Sequence, residues 1–198
     1  MLGECLGCWR DTRRSVDGIH PTYFTIRHNR LEMNSFSPLL PSLELPLRRF
    51  LVVESCPVEW QHFDLYLLRD GETTFYVGQS HTAFNRVWRH IYDGWKGRSL
   101  VGRFVLMNWP RALHFVVEFH DSRAERFRPV EHDLNRAEQM LIASCQPCFN
   151  DLHNPNPASL PVKYNPPTLR VRHPRNPQAM MREAALANQQ EERRNAGI

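Results

Sequence analysis

The chain has 198 residues, a formal net charge of +4 and 41% hydrophobic residues, enough apolar material for a core of good size. It contains no run of about eighteen apolar residues, and no charged segment followed by an apolar one stands at its N-terminus. These features argue against a membrane protein and against a secreted one. We therefore expect a cytoplasmic protein with one compact domain and extensions at both ends.

Residues 1–61 carry the weakest pattern and are treated as an N-terminal extension. Two β-prone runs, Thr22–Ile26 and Phe50–Val53, predict short strands. A stretch punctuated by prolines, residues 38–46, separates them. The residues themselves assign no function to this segment.

A strand, a turn, a second strand and a helix are predicted next. The β-prone run Phe63–Arg69 ends at Asp70-Gly71, a strong signal for a hairpin turn. Thr73–Val77 forms the return strand, and Ser80 or Thr82 can cap a helix that runs to about residue 91. We expect the two strands to pair and the helix to pack on them.

This first helix has one apolar face and one basic face. The apolar positions follow the i, i+3, i+4, i+7 spacing of a core-facing stripe: Phe84, Val87, Trp88 and Ile91. Arg86 and His90 lie on the other side as an i, i+4 pair. A guanidinium beside an imidazole suits a phosphate, because the guanidinium offers a permanent, forked charge. The alternative is an ordinary basic helix face in solvent.

Glu138 interrupts the apolar face of a second helix. A strand over Leu113–Phe119 is followed by a helix from about residue 131 to 145, whose stripe is Leu134, Ala137, Leu141 and Cys145. A carboxylate in such a stripe costs several kcal/mol unless a cation or a positive group compensates it. We therefore predict either a divalent ion, Mg²⁺ or Mn²⁺, or a structural ion pair with a residue such as Arg136.

Residues 155–198 form a basic, proline-rich C-terminal tail. They contain seven Lys or Arg against three acidic residues, which equals the whole positive excess, and seven of the fifteen prolines. We predict an extended first half and a polar helix over 178–194. The tail would either track phosphates along a nucleic acid or serve as a packing or dimer arm.

Six basic positions are candidate nucleic-acid contacts, partly because Trp95–Arg98 and Trp109–Arg111 mix aromatic and basic residues. They are Lys96, Arg98, Arg111, Lys163, Arg170 and Arg172.

The cysteines permit a different interpretation. Cys5 with Cys8, and Cys145 with Cys148, form two C-x-x-C pairs of the kind that holds zinc. Their separation lies far outside the spacing of a zinc ribbon, so we expect free thiols in a reducing compartment. A zinc-stabilised scaffold protein is a third, weaker interpretation of the chain.

Two tyrosines ten residues apart begin a longer pattern. In order, its six positions are Tyr66, Tyr76, Arg86, His90, Glu138 and Asn150. With Asp64-Leu65-Tyr66 and Tyr76-Val77-Gly78 as the two short strand motifs, residues 62–154 resemble the GIY-YIG nuclease family. Asp64 stands where the first motif of that family has a glycine, and Leu65 replaces its isoleucine.

The resemblance implies a fold and a role for each of these residues. The fold is α+β, a small three-stranded, mostly antiparallel sheet flanked by helices. Tyr76 would position or deprotonate the attacking water, Arg86 would steady the phosphate, and Glu138 would hold one divalent ion. Tyr66 and His90 would assist the proton transfer, and Asn150 would order the site. Residues 1–61 would supply recognition, contacts of a homodimer or contacts with a partner protein.

The expected function is therefore metal-dependent endonucleolytic cleavage of DNA, in restriction, phage defence or mobile-element biology. The main alternative is a catalytically weak or gated nucleic-acid-binding subunit of a larger complex. The endonuclease would act on DNA and use one divalent cation, Mg²⁺ or Mn²⁺, as its cofactor.

Overall fold

A four-stranded antiparallel sheet lies at the centre of residues 41–197, the part of the chain that the computed structural model describes. Its strands are β1 (Ser42–Pro46), β2 (Leu65–Asp70), β3 (Thr73–Gln79) and β4 (Val116–His120). They are arranged in the order β1-β4-β2-β3, with every neighbouring pair antiparallel. The α+β class is confirmed, but the sheet has four strands and not the three that we expected.

Five α-helices accompany this sheet within the same residues: α1 (Leu47–Phe50), α2 (Ala83–Trp95), α3 (Leu100–Met107), α4 (Leu134–Cys145) and α5 (Pro177–Asn195). Short 3₁₀ turns occupy Val58–Trp60, Arg111–His114 and Glu125–Val130. In the described part of the chain, none of the helices combines the length and the apolar character needed to cross a bilayer.

The additional strand, β1, lies within the proline-punctuated stretch of residues 38–46, where we predicted no strand. Among the described strands it pairs with β4 alone, from Ser42 opposite His120 to Pro46 opposite Val116, and so forms an edge of the sheet as described. Proline is tolerated at an edge because its missing N–H need not join a ladder. The strand predicted over Phe50–Val53 is wrong, since Phe50 ends α1. The one predicted over Thr22–Ile26 lies outside the described residues.

The predicted hairpin is present with slightly different limits. Leu68 pairs with Tyr76 and Arg69 with Thr74, so Phe75 is the extra residue of a β-bulge. The strand expected from Leu113 starts only at Val116, because a 3₁₀ turn occupies the residues before it.

Two apolar clusters cover the two faces of the sheet. Alternation along β2 sends Tyr66 and Leu68 to one cluster, and Leu65 and Leu67 to the other. The first cluster is the larger and includes residues from α1, α2, α3 and α5. The second is closed by α4, whose Ala137, Leu141 and Ile142 are buried. Each face of the sheet is therefore packed.

Helices α2 and α3 cross in backbone contact at two glycines. A Cβ added to Gly94 would overlap the backbone of Gly102, and one added to Gly102 would overlap the carbonyl oxygen of His90. Only glycine allows this approach. As a result the beginning of α3 lies directly against the C-terminal half of α2.

The C-terminal residues pack onto the rest of the chain. Met180 and Ala184 of α5 are fully buried in the larger cluster, and the Arg48 guanidinium of α1 binds the Glu191 carboxylate at 2.5 Å. The Tyr164 hydroxyl donates to Asp70 at the end of β2 at 2.6 Å. Residues 155–197 thus belong to the same compact unit as the sheet.

Candidate active site

Tyr66, Tyr76 and His90 bring three rings from three elements together. Strands β2 and β3 present the two tyrosines on the same face, with ring centres 6.1 Å apart, and α2 places His90 above them. The His90 ring lies 5.8 Å from the ring of Tyr66 and 5.5 Å from that of Tyr76. Sequence reasoning assigned all three residues to one site, and in the structure their rings lie next to one another.

Gly78 makes room for this cluster. It stands opposite Tyr66 in the β2–β3 register, and a Cβ at this position would lie 2.5 Å from the Tyr66 hydroxyl. Any side chain here would displace Tyr66. The second strand motif therefore requires glycine at this position, because any larger residue would collide with Tyr66.

His90 is held at both ring nitrogens. Its Nε2 lies 2.8 Å from the Tyr66 hydroxyl and its Nδ1 lies 2.9 Å from the hydroxyl of Ser99. Burial and the nearby charge of Arg86 lower the pKa of His90 to about 4, so the ring is neutral at pH 7. A neutral ring carries one N–H, so it donates to one of these hydroxyls and accepts from the other.

Ser99 was not predicted from the sequence. Its hydroxyl also accepts the N–H of Gly102 and so caps the first turn of α3. Ser99 lies next to His90 because α2 and α3 cross in backbone contact at Gly94 and Gly102. The one available sequence signal was a serine directly before an apolar helical run.

The charges of Arg86 and Glu138 both act on Tyr76. Burial raises the pKa of the Tyr76 phenol, the Glu138 carboxylate raises it further, and the Arg86 guanidinium opposes them. Burial also raises the pKa of Tyr66, and the neighbouring Tyr76 raises it further. Both phenols are therefore protonated at neutral pH. The influence of both charges on Tyr76 shows that Glu138 and Arg86 lie near this tyrosine.

Glu138 is a half-buried carboxylate on α4. Burial raises its pKa, and a hydrogen bond from Gln79 and the proximity of His153 oppose that change. Arg136, the structural partner that we considered, instead binds Glu131 at 3.1 Å. Within residues 41–197, no Lys or Arg nitrogen lies within 4.0 Å of the Glu138 carboxylate. The ion pair offered as the alternative to a metal is thus not formed there.

An open cavity of about 280 Å³ lies beside the rings. Its lining includes Tyr76, Arg86, Arg89, His90, Asp93 and Arg98. Three guanidinium groups against one carboxylate make this cavity positive, which favours an anionic ligand. Arg89 was missed in the sequence, although it follows Arg86 by three residues on the same helix face.

Asn150 does not contact the rings but fixes the strand that carries Tyr76. Its side-chain oxygen accepts the N–H of Val77 at 2.9 Å, and its amide nitrogen donates to the Val77 carbonyl at 2.8 Å. The backbone N–H groups of Cys148 and Phe149 donate to the carbonyl oxygens of Thr74 and Phe75, which also belong to β3. This segment covers the outer edge of β3.

Asp64, the departure from the family motif, is fully engaged elsewhere. Its two carboxylate oxygens accept the N–H and the hydroxyl of Ser122, at 2.8 and 2.6 Å. It joins the start of β2 to the loop after β4.

The six candidate nucleic-acid contacts separate into two groups. Lys96, Arg98, Arg170 and Arg172 surround the C-terminal end of α2, where the Arg172 guanidinium lies 4.2 Å from the Trp95 ring centre. Arg111 and Lys163 instead flank Tyr164, and Arg111 donates to the Lys163 carbonyl. Only Arg98 of the six lines the cavity described above.

Comparison with known proteins adds no relative. The chain matches no protein-family model, no curated protein and no solved structure. The function is therefore argued from the site itself.

Proposed function

We propose that this protein is a GIY-YIG-type endonuclease that hydrolyses phosphodiester bonds in DNA with one Mg²⁺ or Mn²⁺. Its setting would be restriction, phage defence or mobile-element biology. One observation carries the proposal: Tyr76 and His90 line a positive cavity with Arg86, while the Glu138 carboxylate acts on the same Tyr76. An aromatic proton path, a forked cation and a hard oxygen ligand suit the hydrolysis of a phosphodiester.

A divalent cation fits the chemistry of Glu138. The carboxylate is half-buried, burial raises its pKa, and none of the described Lys or Arg residues compensates it. The described residues contain no group of three His, Cys, Asp or Glu that could enclose a metal. Mg²⁺ keeps several waters and is often held by one carboxylate and substrate phosphates, so Glu138 is a sufficient protein ligand. When bound, the ion would polarise the phosphoryl group.

The residues of the chain supply positioning and a route for the proton. Arg86 would hold two phosphoryl oxygens through its fork. Tyr76 faces the cavity and would orient the attacking water. The Tyr66 ring lies 6.1 Å from the Tyr76 ring between centres, and the Tyr66 hydroxyl lies 2.8 Å from Nε2 of His90, so the two tyrosines offer a path from the cavity to a buried neutral imidazole. As the water oxygen bonds to phosphorus and the bond from phosphorus to the sugar oxygen breaks, the proton of the water would enter this path. The leaving sugar oxygen would take its proton from solvent in the open cavity.

One observation favours the gated binding subunit as a second candidate. Both nitrogens of His90 are engaged, and the pKa values of both tyrosines are raised. A protein in this state would bind DNA but would need a cation or a partner to activate water.

The deciding experiment uses purified protein with labelled double-stranded, single-stranded and branched DNA, and with RNA. Each substrate is incubated with Mg²⁺, Mn²⁺ or EDTA, and Glu138→Gln is compared with Glu125→Gln. Glu125 is an exposed glutamate that binds Arg128, so it is a control with the same change of charge. We expect cleavage of DNA that EDTA and Glu138→Gln abolish and Glu125→Gln preserves.

Each other outcome has a defined meaning. Binding without cleavage under any condition supports the gated subunit. Cleavage restricted to RNA contradicts the DNA assignment. Absence of both binding and cleavage contradicts both candidates.

A further inference from the structure

Arg89 and Arg98 line the same cavity as Arg86 but have no role in the chemistry proposed above. Arg86 and Arg89 are one helical turn apart, where like charges repel each other. Within residues 41–197, neither Arg89 nor Arg98 has a carboxylate within 4.0 Å, whereas Arg69, Arg128 and Arg175 each bind at least one. Asp93 is the only carboxylate among the residues that line this cavity. Within the described part of the chain, the positive charges of Arg89 and Arg98 are therefore not neutralised by a carboxylate in direct contact.

The backbone that carries Arg98 is held in place. Its N–H donates to the Asp93 carbonyl at 2.7 Å, and the N–H of His173 donates to the Trp95 carbonyl at 2.8 Å. A Cβ added to Gly97 would lie 2.6 Å from the carbonyl oxygen of Arg170. The C-terminal residues therefore brace the loop after α2 through their backbone, and Arg98 extends from a fixed base. A preorganised cation binds an anion at a lower cost in conformational entropy.

We propose that Arg89 and Arg98 form a second phosphate site, which holds the phosphate next to the one that is cut on the same DNA strand. This inference rests on the proposed function and extends it, because it assigns the cavity two consecutive phosphates. Arg86 serves the reacting phosphate, and Arg89 and Arg98 set the register of the strand. They are binding and positioning residues, since they do not touch the reacting atoms.

The first test measures DNA binding without cleavage. The double variant Arg89→Ala, Arg98→Ala is compared with Arg128→Ala, Arg136→Ala, which removes two exposed, paired arginines and changes the net charge equally. Fluorescence anisotropy with a duplex oligonucleotide in EDTA, from 50 to 200 mM salt, gives the salt slope of the affinity. Each phosphate contact contributes about 0.9 to that slope, so we expect a fall of about 0.9 in the first variant, which loses one phosphate, and none in the control.

The second test locates the contact on the DNA. In an oligonucleotide with a mapped cut site, the phosphate on either side of the cut is replaced in turn by a neutral methylphosphonate. One of these positions should weaken binding to the wild-type protein by roughly tenfold, as loss of a charged hydrogen bond does. The same replacement should have no further effect on the Arg89→Ala, Arg98→Ala protein.

The outcomes separate this inference from the proposed function. An unchanged salt slope, or equal losses in both proteins with the methylphosphonate, would overturn the second phosphate site while cleavage by the wild-type protein remained. A wild-type protein that neither binds nor cuts DNA would remove the proposed function and this inference with it. Thermal melting of both double variants checks that they fold.

Discussion

The carboxylate of Glu138 links the chemistry of the site to the stability of the protein. Burial raises its pKa, so the folded protein binds a proton here more tightly than the unfolded chain does. Stability then falls as the pH rises from the ordinary value of about 4.3 through the raised value, and stays lower above it.

We therefore expect Glu138→Gln to raise the free energy of unfolding at pH 7 in EDTA. The gain should shrink as the pH is lowered towards about 4, where the wild-type carboxyl is also neutral. Urea unfolding of both proteins across this range measures the difference. A variant less stable than wild type at pH 7, or one that cleaves DNA at the wild-type rate, would make Glu138 a structural residue.

Arg86 should matter more for the rate of cleavage than for binding. Arg86→Ala should lower the rate on the order of a hundredfold or more, because a donor to developing charge is removed. Arg86→Lys should recover little, since an ammonium group cannot offer the fork. Single-turnover rates and binding constants separate the two effects, with Arg128→Ala as the control. Full activity of the lysine variant would exclude a forked contact.

Ser99 should act on the site through His90. With its pKa lowered to about 4, His90 should not titrate between pH 5 and 8 in ¹⁵N NMR spectra, and one tautomer should dominate. Ser99→Ala should allow both tautomers and lower the cleavage rate, and Ser99→Thr should restore both properties. The lost helix cap alone would cost about 1 kcal/mol of stability without changing the ring signals. A loss of stability without a change in the His90 ring signals would show that Ser99 serves only as a helix cap.

At the scale of elements, β3 depends on a side chain more than seventy positions away. Asn150 satisfies the N–H and the carbonyl of the buried Val77. We expect Asn150→Ala to lower the free energy of unfolding by about 1–3 kcal/mol, because it leaves these two groups unpaired. Asn150→Asp should cost more, since its charge faces a carbonyl oxygen. Urea unfolding, with the exposed Asn195→Ala as control, checks this.

The elements that the sequence predicted are those with local signals. The hairpin follows from Asp70-Gly71 between two β-prone runs, and α2 and α4 follow from apolar periodicity. The strand β1 was missed because its last residue, Pro46, is acceptable in a strand only at an edge, and the order of the strands is not visible in the sequence. Likewise, the motif predicted the meeting of Tyr66, Tyr76 and His90, whereas the contact of Ser99 with His90 depends on a helix crossing that no local pattern encodes.

For the whole molecule, α5 belongs to the core and not only to a basic surface. Met180 is fully buried, whereas Leu186 on the same helix is 57% exposed. Met180→Ala should lower the free energy of unfolding by about 2–5 kcal/mol, and Leu186→Ala should change it by less than about 0.5 kcal/mol. Deletion of residues 163–198, which also removes Tyr164, should abolish cooperative unfolding. A truncated protein with the full-length melting temperature would show instead that this region is a detachable arm.

The contact of Gly94 with Gly102 has a consequence for how variation in this protein would be interpreted. Neither glycine carries a reactive group, yet a single methyl group at Gly102 would collide with the carbonyl of His90 and push α3 away as a unit. Ser99 would then leave the imidazole although no polar atom had been removed. In a random-mutagenesis selection for activity, substitutions at Gly102 would be tolerated as poorly as substitutions of a catalytic residue. Active variants would therefore retain Gly102 as strictly as they retain such a residue. The poor tolerance of substitutions at this position would then reflect the close approach of two helices and not a catalytic role.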